Sequence, residues 1–447
     1  MTIKASRRHF LRGVSSLAGA GALPPLSAYL SSMAAASAPA ASAYKALVCI
    51  YLSGGNDHLN TIVPFDTANY QSYYAARNSV GLAFSQSVLH PGPSQGGAQV
   101  AFNPYLPNIA ALSASNQATI VANVGPLIGP ITKSQYSPNG SNVPALLASH
   151  IDQQKTWQSL GHANTNGWGG LFADVLAAGN GATGAPFTTI SANGQTILFL
   201  TGAESAQYVV SGQGAPKAFF SPSTPFADAL LHSTASNNLL EQAVGNVYAD
   251  LQDYATELNK ALPAASSFPT PPANNGLASE LLTVARIAQV AQPALGVNRQ
   301  IFYVNFGSFD THDGETTRHA ALMKQLDDAV NYFQQLLVTA GLWNNVTLFT
   351  MSEFGRQLWP NADGTDHGWG SHHLVIGGAV AGGIAGQLPV IGIAGPNFLP
   401  NGWMIPTTSV EQYGVALGTW FGVPSKSLAG IFPNFATYSE PPLKLFS

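Results

Sequence analysis

Short apolar runs punctuate the chain: Lys45 to Leu52 (KALVCIYL), Thr119 to Val124 (TIVANV), Gln300 to Phe306 (QIFYVNF) and Val346 to Met351 (VTLFTM). Near-continuous apolar character over so few residues predicts central strands covered on both faces. Steps of three and four mark helices between them. Leu240, Val244, Val247, Leu251, Tyr254 and Leu258 form one stripe ending before Pro263, and Leu277 to Ala291 follows. Leu322, Leu326, Ala329, Phe333 and Leu337 form another. Further helices are expected from Leu146 to Gly161, beginning near Ser149-His150 with Trp157 inward, from Leu171 to Ala178, and from Val410 to Phe421. Residues 66–117 read as irregular, Ile197 to Leu200 as a strand-like piece, and about 179–236 as an insertion or cap. Strand, loop, helix, strand from Gln300 to Met351 is a parallel βαβ unit. The pattern predicts an α/β fold, a mostly parallel sheet sandwiched by helices with loop and cap insertions, as a single domain over 44–447.

Composition sharpens this only in part. With 447 residues and 46% hydrophobic content the chain can bury a large core, while 45 Gly, 30 Pro and only 9% charged residues argue for many loops. The formal charge is −4, and without residues 1–43 it becomes −8, from 13 bases against 21 acids. With no basic stripe, nucleic acid is excluded as a partner. Cys49 is the one cysteine, so there is no intramolecular disulfide and no cysteine-based zinc site.

The first 43 residues read as a leader. Ser6-Arg7-Arg8-His9-Phe10-Leu11-Arg12 is a twin-arginine motif, followed by a modest apolar region and small residues through Ala43. It implies export through the twin-arginine translocase to the periplasm or beyond. No later run reaches the ~18 apolar residues that span a bilayer, so no stable membrane span is expected.

Chemistry-bearing residues gather where strands hand over to loops, the place where open α/β sheets bind ligands. After Leu52 come Gly54, Gly55, Asn56, Asp57 and His58; after Phe306 come Asp310 and His312; after Met351 come Ser352, Glu353 and Arg356, then Asp366, His367, His372 and His373. Carboxylates and imidazoles without cysteine suit one or two divalent ions, Zn²⁺, Mn²⁺, Mg²⁺ or Ca²⁺. Asp57, Asp310, His312, Glu353, Asp366 and His367 are the candidate ligands. Arg356 is the candidate stabiliser of an anionic transition state; its bland alternative is pairing with Glu353 or Asp366. Ser149, at a helix start, is either a cap or a nucleophile.

The segments LSGGNDHLNTIVP, SHIDQQKTWQSLG, GWGG, FDTHDG, TMSEFGR, GTDHG and GGAVAGG, in this order from about residue 45, resemble the secreted bacterial family catalogued as domain of unknown function 1501. That family is placed in the alkaline phosphatase superfamily, with the sulfatases and cofactor-independent phosphoglycerate mutases. The resemblance implies an alkaline phosphatase-like fold with a metal centre at the strand carboxyl ends. Asp57 resembles the superfamily's first-strand metal aspartate, and Asp310 with His312 resembles its Asp-x-x-x-His pair at shorter spacing. Ser352-Glu353-Phe354-Gly355 stands where the superfamily has Ser-Asp-His-Gly, and His367 resembles its late histidine ligand. Ser149 is the nucleophile the resemblance suggests, while the sulfatase Cys/Ser-x-Pro-x-Arg motif is not visible. The expectation is an exported, metal-dependent hydrolase of a small-molecule or polymer-borne phosphate or sulfate ester, attacked by Ser149 or water. The rival is a non-catalytic binding or assembly protein on the same fold.

Overall fold

A computed structural model describes residues 43–138, 140–161, 165–211, 239–439 and 441–447. Residues 1–42 of the leader therefore lie outside the described residues, as does 212–238 of the expected cap. The chain divides into two units: residues 166–269 and 282–303, with the first 45, form the smaller, and 46–165, 270–281 and 304–447 the larger.

The larger unit is built on β1 (Lys45–Leu52), α1 (Thr67–Arg77), β2 (Ala118–Gly125), α2 (His150–Ser159), the end of β3 (Arg299–Phe306), α3 (Glu315–Thr339), β4 (Val346–Met351), β5 (Arg356–Asn361), β6 (Gly364–His367), β7 (Ser371–Ile376), β8 (Gly383–Ala385) and α4 (Val410–Phe421). Its main sheet runs β8-β2-β7-β4-β1. β1 lies parallel to β4, with Ala46 opposite Val346 and Tyr51 opposite Met351. β8 lies parallel to β2, whereas β7 is antiparallel to both β2 and β4. Every residue of β2, β4 and β7 is buried, as the unbroken apolar runs require of strands covered on both faces. The sheet is thus mixed but mostly parallel. Because β7 alone runs backwards, residues 352–370 leave and re-enter at one edge, the same edge that receives the ends of β1 and β3.

Two segments differ from the expected pattern. Residues 66–117 are ordered: α1 is capped by Asp66, whose side chain accepts from the Asn69 N–H at 3.1 Å, and Ile62–Pro64, His90–Gln95 and Ala98–Phe102 pair into a small antiparallel sheet before the helix Pro107–Ala114. The tyrosine-rich face of α1 hides its periodicity, since Tyr73 is buried with its hydroxyl on Asn60 Oδ1 at 2.7 Å. The stretch between Arg356 and Asp366, which no apolar run marks as strand, is a hairpin in which β5 and β6 pair antiparallel, with Asn361 opposite Gly364.

In the smaller unit, Thr189–Ser191 runs parallel to Tyr208–Val209 and to the first part of β3, with Thr189 opposite Ile301. Ile197 to Leu200 is not a strand but contains a 3₁₀ turn, Leu198–Leu200. The helices Trp168–Leu176 and Leu239–Ala261 match their periodicity.

Candidate metal centre

The candidate site lies wholly in the larger unit, on the loops after β1, β3 and β4, the β5–β6 hairpin and the start of α2. Asp310 is its hub. Its Oδ1 lies 3.0 Å from His312 Nε2 and 3.1 Å from His367 Nε2, and its Oδ2 lies 3.4 Å from His150 Nε2. His312 Nε2 and His367 Nε2 are themselves 2.9 Å apart. Ligand atoms of His150, Asp310 and His367 all fall within 4.8 Å of one another.

The other ring nitrogen of each imidazole decides what these contacts mean. His150 Nδ1 faces Glu353 Oε1 at 2.9 Å, His312 Nδ1 faces Asp366 Oδ1 at 2.9 Å, and His367 Nδ1 faces the Ala148 carbonyl at 2.8 Å. All three partners are acceptors, so each Nδ1–H is directed outward and each Nε2 is turned toward Asp310. A cation placed among these Nε2 atoms and the carboxylate would be shared by all of them. Nearest-neighbour gaps of 2.9 to 3.1 Å are close to the ~3.3 Å edge of a tetrahedron with ~2.0 Å metal–ligand bonds. The donor set and its fixed tautomers fit a bound divalent ion, and oxygen acceptors behind metal-binding imidazoles are the usual outer support.

Burial raises the Asp310 pKa, but Arg356 and the imidazoles outweigh it and bring the carboxyl down to about 2. The His150 pKa is raised, chiefly by its hydrogen bond to Glu353. The His367 pKa is lowered by burial and by Arg356. The side chains of His150, Asp310, His312 and His367 are 32, 42, 40 and 21% exposed, so the cluster opens to solvent.

Several residues named from the sequence take other places. Asp57 is fully buried and outside the cluster: Arg77 donates to its Oδ2, and Arg77 also binds the Leu358 and Gln357 carbonyls. A guanidinium thus neutralises the aspartate that was expected to hold metal. Burial raises the Asp57 pKa, but Arg77 outweighs it and the net shift is downward, while burial and the neighbouring Asp57 push Glu315 up. Glu353 and Asp366 are not at the centre either. Glu353, fully buried, accepts from the Gly54 N–H at 2.9 Å and orients His150, while Asp366 orients His312.

Arg356 is fully buried. It donates to the carbonyls of Gly55, Thr365, Gly54 and Phe309 and, at 2.6 Å, to Asp310 Oδ1. It fastens three loops together. Ser149 caps no backbone N–H; its hydroxyl donates to Asp152 Oδ2 at 2.6 Å. His372 accepts from the Asn123 N–H at 3.0 Å, and His373 packs edge-on to Trp157.

Sequence reasoning named Ser149 and passed over His150 beside it. The available signal was positional: a helix N-terminus disfavours a cation, so a histidine in the first turn after a Ser N-cap suggests a use beyond the helix.

The family model described as "Protein of unknown function (DUF1501)" matches residues 44–396. Searching curated proteins finds no match. Among solved structures, Ps i-CgsB in complex with k-i-k-neocarrahexaose is 11% identical with a TM-score of 0.37, over 88% of this chain and 76% of that one. The lipoteichoic acid synthase LtaP from Listeria monocytogenes is 9% identical with a TM-score of 0.33, over 87 and 76%. PsFucS1 sulfatase from Pseudoalteromonas sp. is 10% identical with a TM-score of 0.35, over 86 and 68%.

Proposed function

Given that this chain belongs to the DUF1501 family, we propose that it is an exported, metal-dependent hydrolase of a phosphate or sulfate ester. The observation that carries the reading is the convergence of three Nε2 atoms on Asp310, each ring oriented by an acceptor at Nδ1. Three imidazoles and one carboxylate favour Zn²⁺ or Mn²⁺ over Mg²⁺ and Ca²⁺, which prefer oxygen. When bound, such an ion supplies Lewis acidity toward an ester oxygen and its developing charge.

The protein's own residues do the rest. His150, His312, Asp310 and His367 hold the centre, Glu353, Asp366 and the Ala148 carbonyl fix the rings, and Arg356 fixes Asp310. Ser149 directs its proton at Asp152, so attack by Ser149 Oγ on phosphorus or sulfur would pass that proton to the carboxylate as the ester bond to the leaving alcohol breaks. In the other version a water attacks and Ser149 only shapes the helix start. The twin arginines at positions 7 and 8 support export.

Metal analysis of the purified protein, with turnover of aryl phosphate mono- and diesters and aryl sulfates, tests the reading. One equivalent of zinc or manganese with turnover of at least one ester class is expected. Metal without turnover of any ester would leave a binding protein, and absence of metal would remove the centre itself.

A further inference from the structure

Gln153 stands on the covered face of α2 beside Thr156 and Trp157 and is only 1% exposed. A buried amide needs partners. Gln153 finds them outside its own helix: its Nε2 donates to the Ala145 carbonyl at 3.2 Å and to the Leu146 carbonyl at 3.1 Å. Both donors of the amide are thus turned on the chain just before α2.

The backbone of that stretch is unusual. Leu146 and Ala148 both hold positive φ, 56° and 65°, a left-handed conformation that a Cβ disfavours. Leu146 is 61% exposed, so its own side chain does little to hold it there. Its carbonyl accepts instead from the Gln153 amide and from the Ser149 N–H at 3.3 Å. Ala148, the second left-handed residue, is the one whose carbonyl faces His367 Nδ1 at 2.8 Å. The backbone conformation of 145–148 therefore aims the oxygen that orients one ring of the centre.

We propose that Gln153 is a positioning residue of the candidate metal centre: its amide holds residues 145–148 in the conformation that keeps the Ala148 carbonyl on His367. In this way α2 governs two rings, His150 as its first residue and His367 through the loop that precedes it. The role rests on the metal reading only for its effect on affinity, because the ring itself reports in metal-free protein.

The test uses the full-length protein, first metal-free and then loaded with zinc or cobalt. Long-range proton–nitrogen NMR of the histidine rings, at a pH above the imidazole range and with His367→Gln assigning the signal, is expected to show His367 protonated at Nδ1. Gln153→Met keeps the length of the side chain and removes both donors. In that variant His367 should shift toward the Nε2-protonated form, while His312, whose Nδ1 faces Asp366, keeps its own form. Chelator competition should then show metal held about tenfold more weakly, the usual cost of losing support behind a metal-binding imidazole. Adding Leu146→Gly to Gln153→Met should recover about threefold, more than it changes the wild type, since glycine takes positive φ without strain. If Gln153→Met does not fold, Leu146→Val serves at an exposed position: a β-branched residue opposes positive φ, and His367 should shift in the same way. An unshifted His367 in either variant, an equal shift at His312, or unchanged affinity in a metal-binding protein would overturn the role and leave Gln153 a structural amide. A wild type that binds no metal would remove the centre, and the ring spectra would still decide whether Gln153 orients His367.

Discussion

An imidazole whose Nδ1 faces an oxygen has lost its choice of tautomer, and that loss makes His150, His312 and His367 a set. Replacing a ring should therefore release metal without unfolding the sheet. His150→Ala and His367→Ala are each expected to lower bound metal to below a tenth of an equivalent by elemental analysis, with circular dichroism unchanged. Ser149→Ala should keep its full metal content; loss of turnover in that variant identifies Ser149 as the nucleophile, and a modest loss identifies water. Asp57→Ala should behave differently again, because it strands Arg77 without its carboxylate. It is expected to cost ~3–5 kcal/mol in denaturant unfolding, with metal stoichiometry unchanged in the molecules that remain folded. The buried histidines give a pH signature. Burial lowers His319, His372 and His373 to about 4, about 4 and about 3. As pH falls below ~6.5 the unfolded chain takes up protons that these folded rings refuse, so each removes ~1.4 kcal/mol per pH unit until its own folded value is reached. His58, fully buried with both ring nitrogens unpaired, acts in the same direction. His150 acts oppositely: its raised pKa contributes stability below ~6.5 that is lost as pH rises through the folded value. Glu280, raised by burial to about 7, and Glu315, also raised, act with His150, so the rings are tested singly: in metal-free protein His373→Asn should raise the unfolding midpoint at pH 4.5, relative to that at pH 7.5, above the wild-type difference.

At the scale of elements, the centre depends on how the β5–β6 hairpin seats on the loop after β3. A methyl group on Gly364 would meet the His312 carbonyl carbon at 2.3 Å and the Thr311 oxygen at 2.4 Å. Gly364→Ala should lift the strand bearing Asp366 and His367 and weaken metal binding at least tenfold, measured by competition with a chromogenic chelator. The sequence made the strands legible because each is buried on both faces and so needs a continuous apolar run. It made their carboxyl ends legible as the place of the site for the same reason. The hairpin was not legible: Pro360 within β5 argues against a strand, and its seat comes from Arg356 and close backbone approach instead of an apolar stripe. Division of labour among the carboxylates was hidden too. Nothing in the spacing of Asp57, Asp310, Glu353 and Asp366 reveals that Arg77 claims the first and imidazoles claim the last two.

For the whole molecule, the leader and the centre make one story under the proposed reading. Arg7→Lys with Arg8→Lys is expected to leave precursor in the cytoplasm, and normal periplasmic accumulation on cell fractionation would contradict the export signal. Among the described residues no helix is long and apolar enough to cross a membrane. The twin-arginine route carries folded proteins, which invites the idea that metal must be loaded before export. The exposure of Asp310 and His312 points elsewhere. Ligands that touch water let an ion leave and return while the buried strands beneath stay closed, so occupancy follows the free-ion concentration outside the cell and carries no fixed memory of where folding took place. A chelator should therefore strip the native protein within minutes, added zinc or manganese should restore it without a refolding step, and exported protein should exchange its ion for whichever competing metal its surroundings supply.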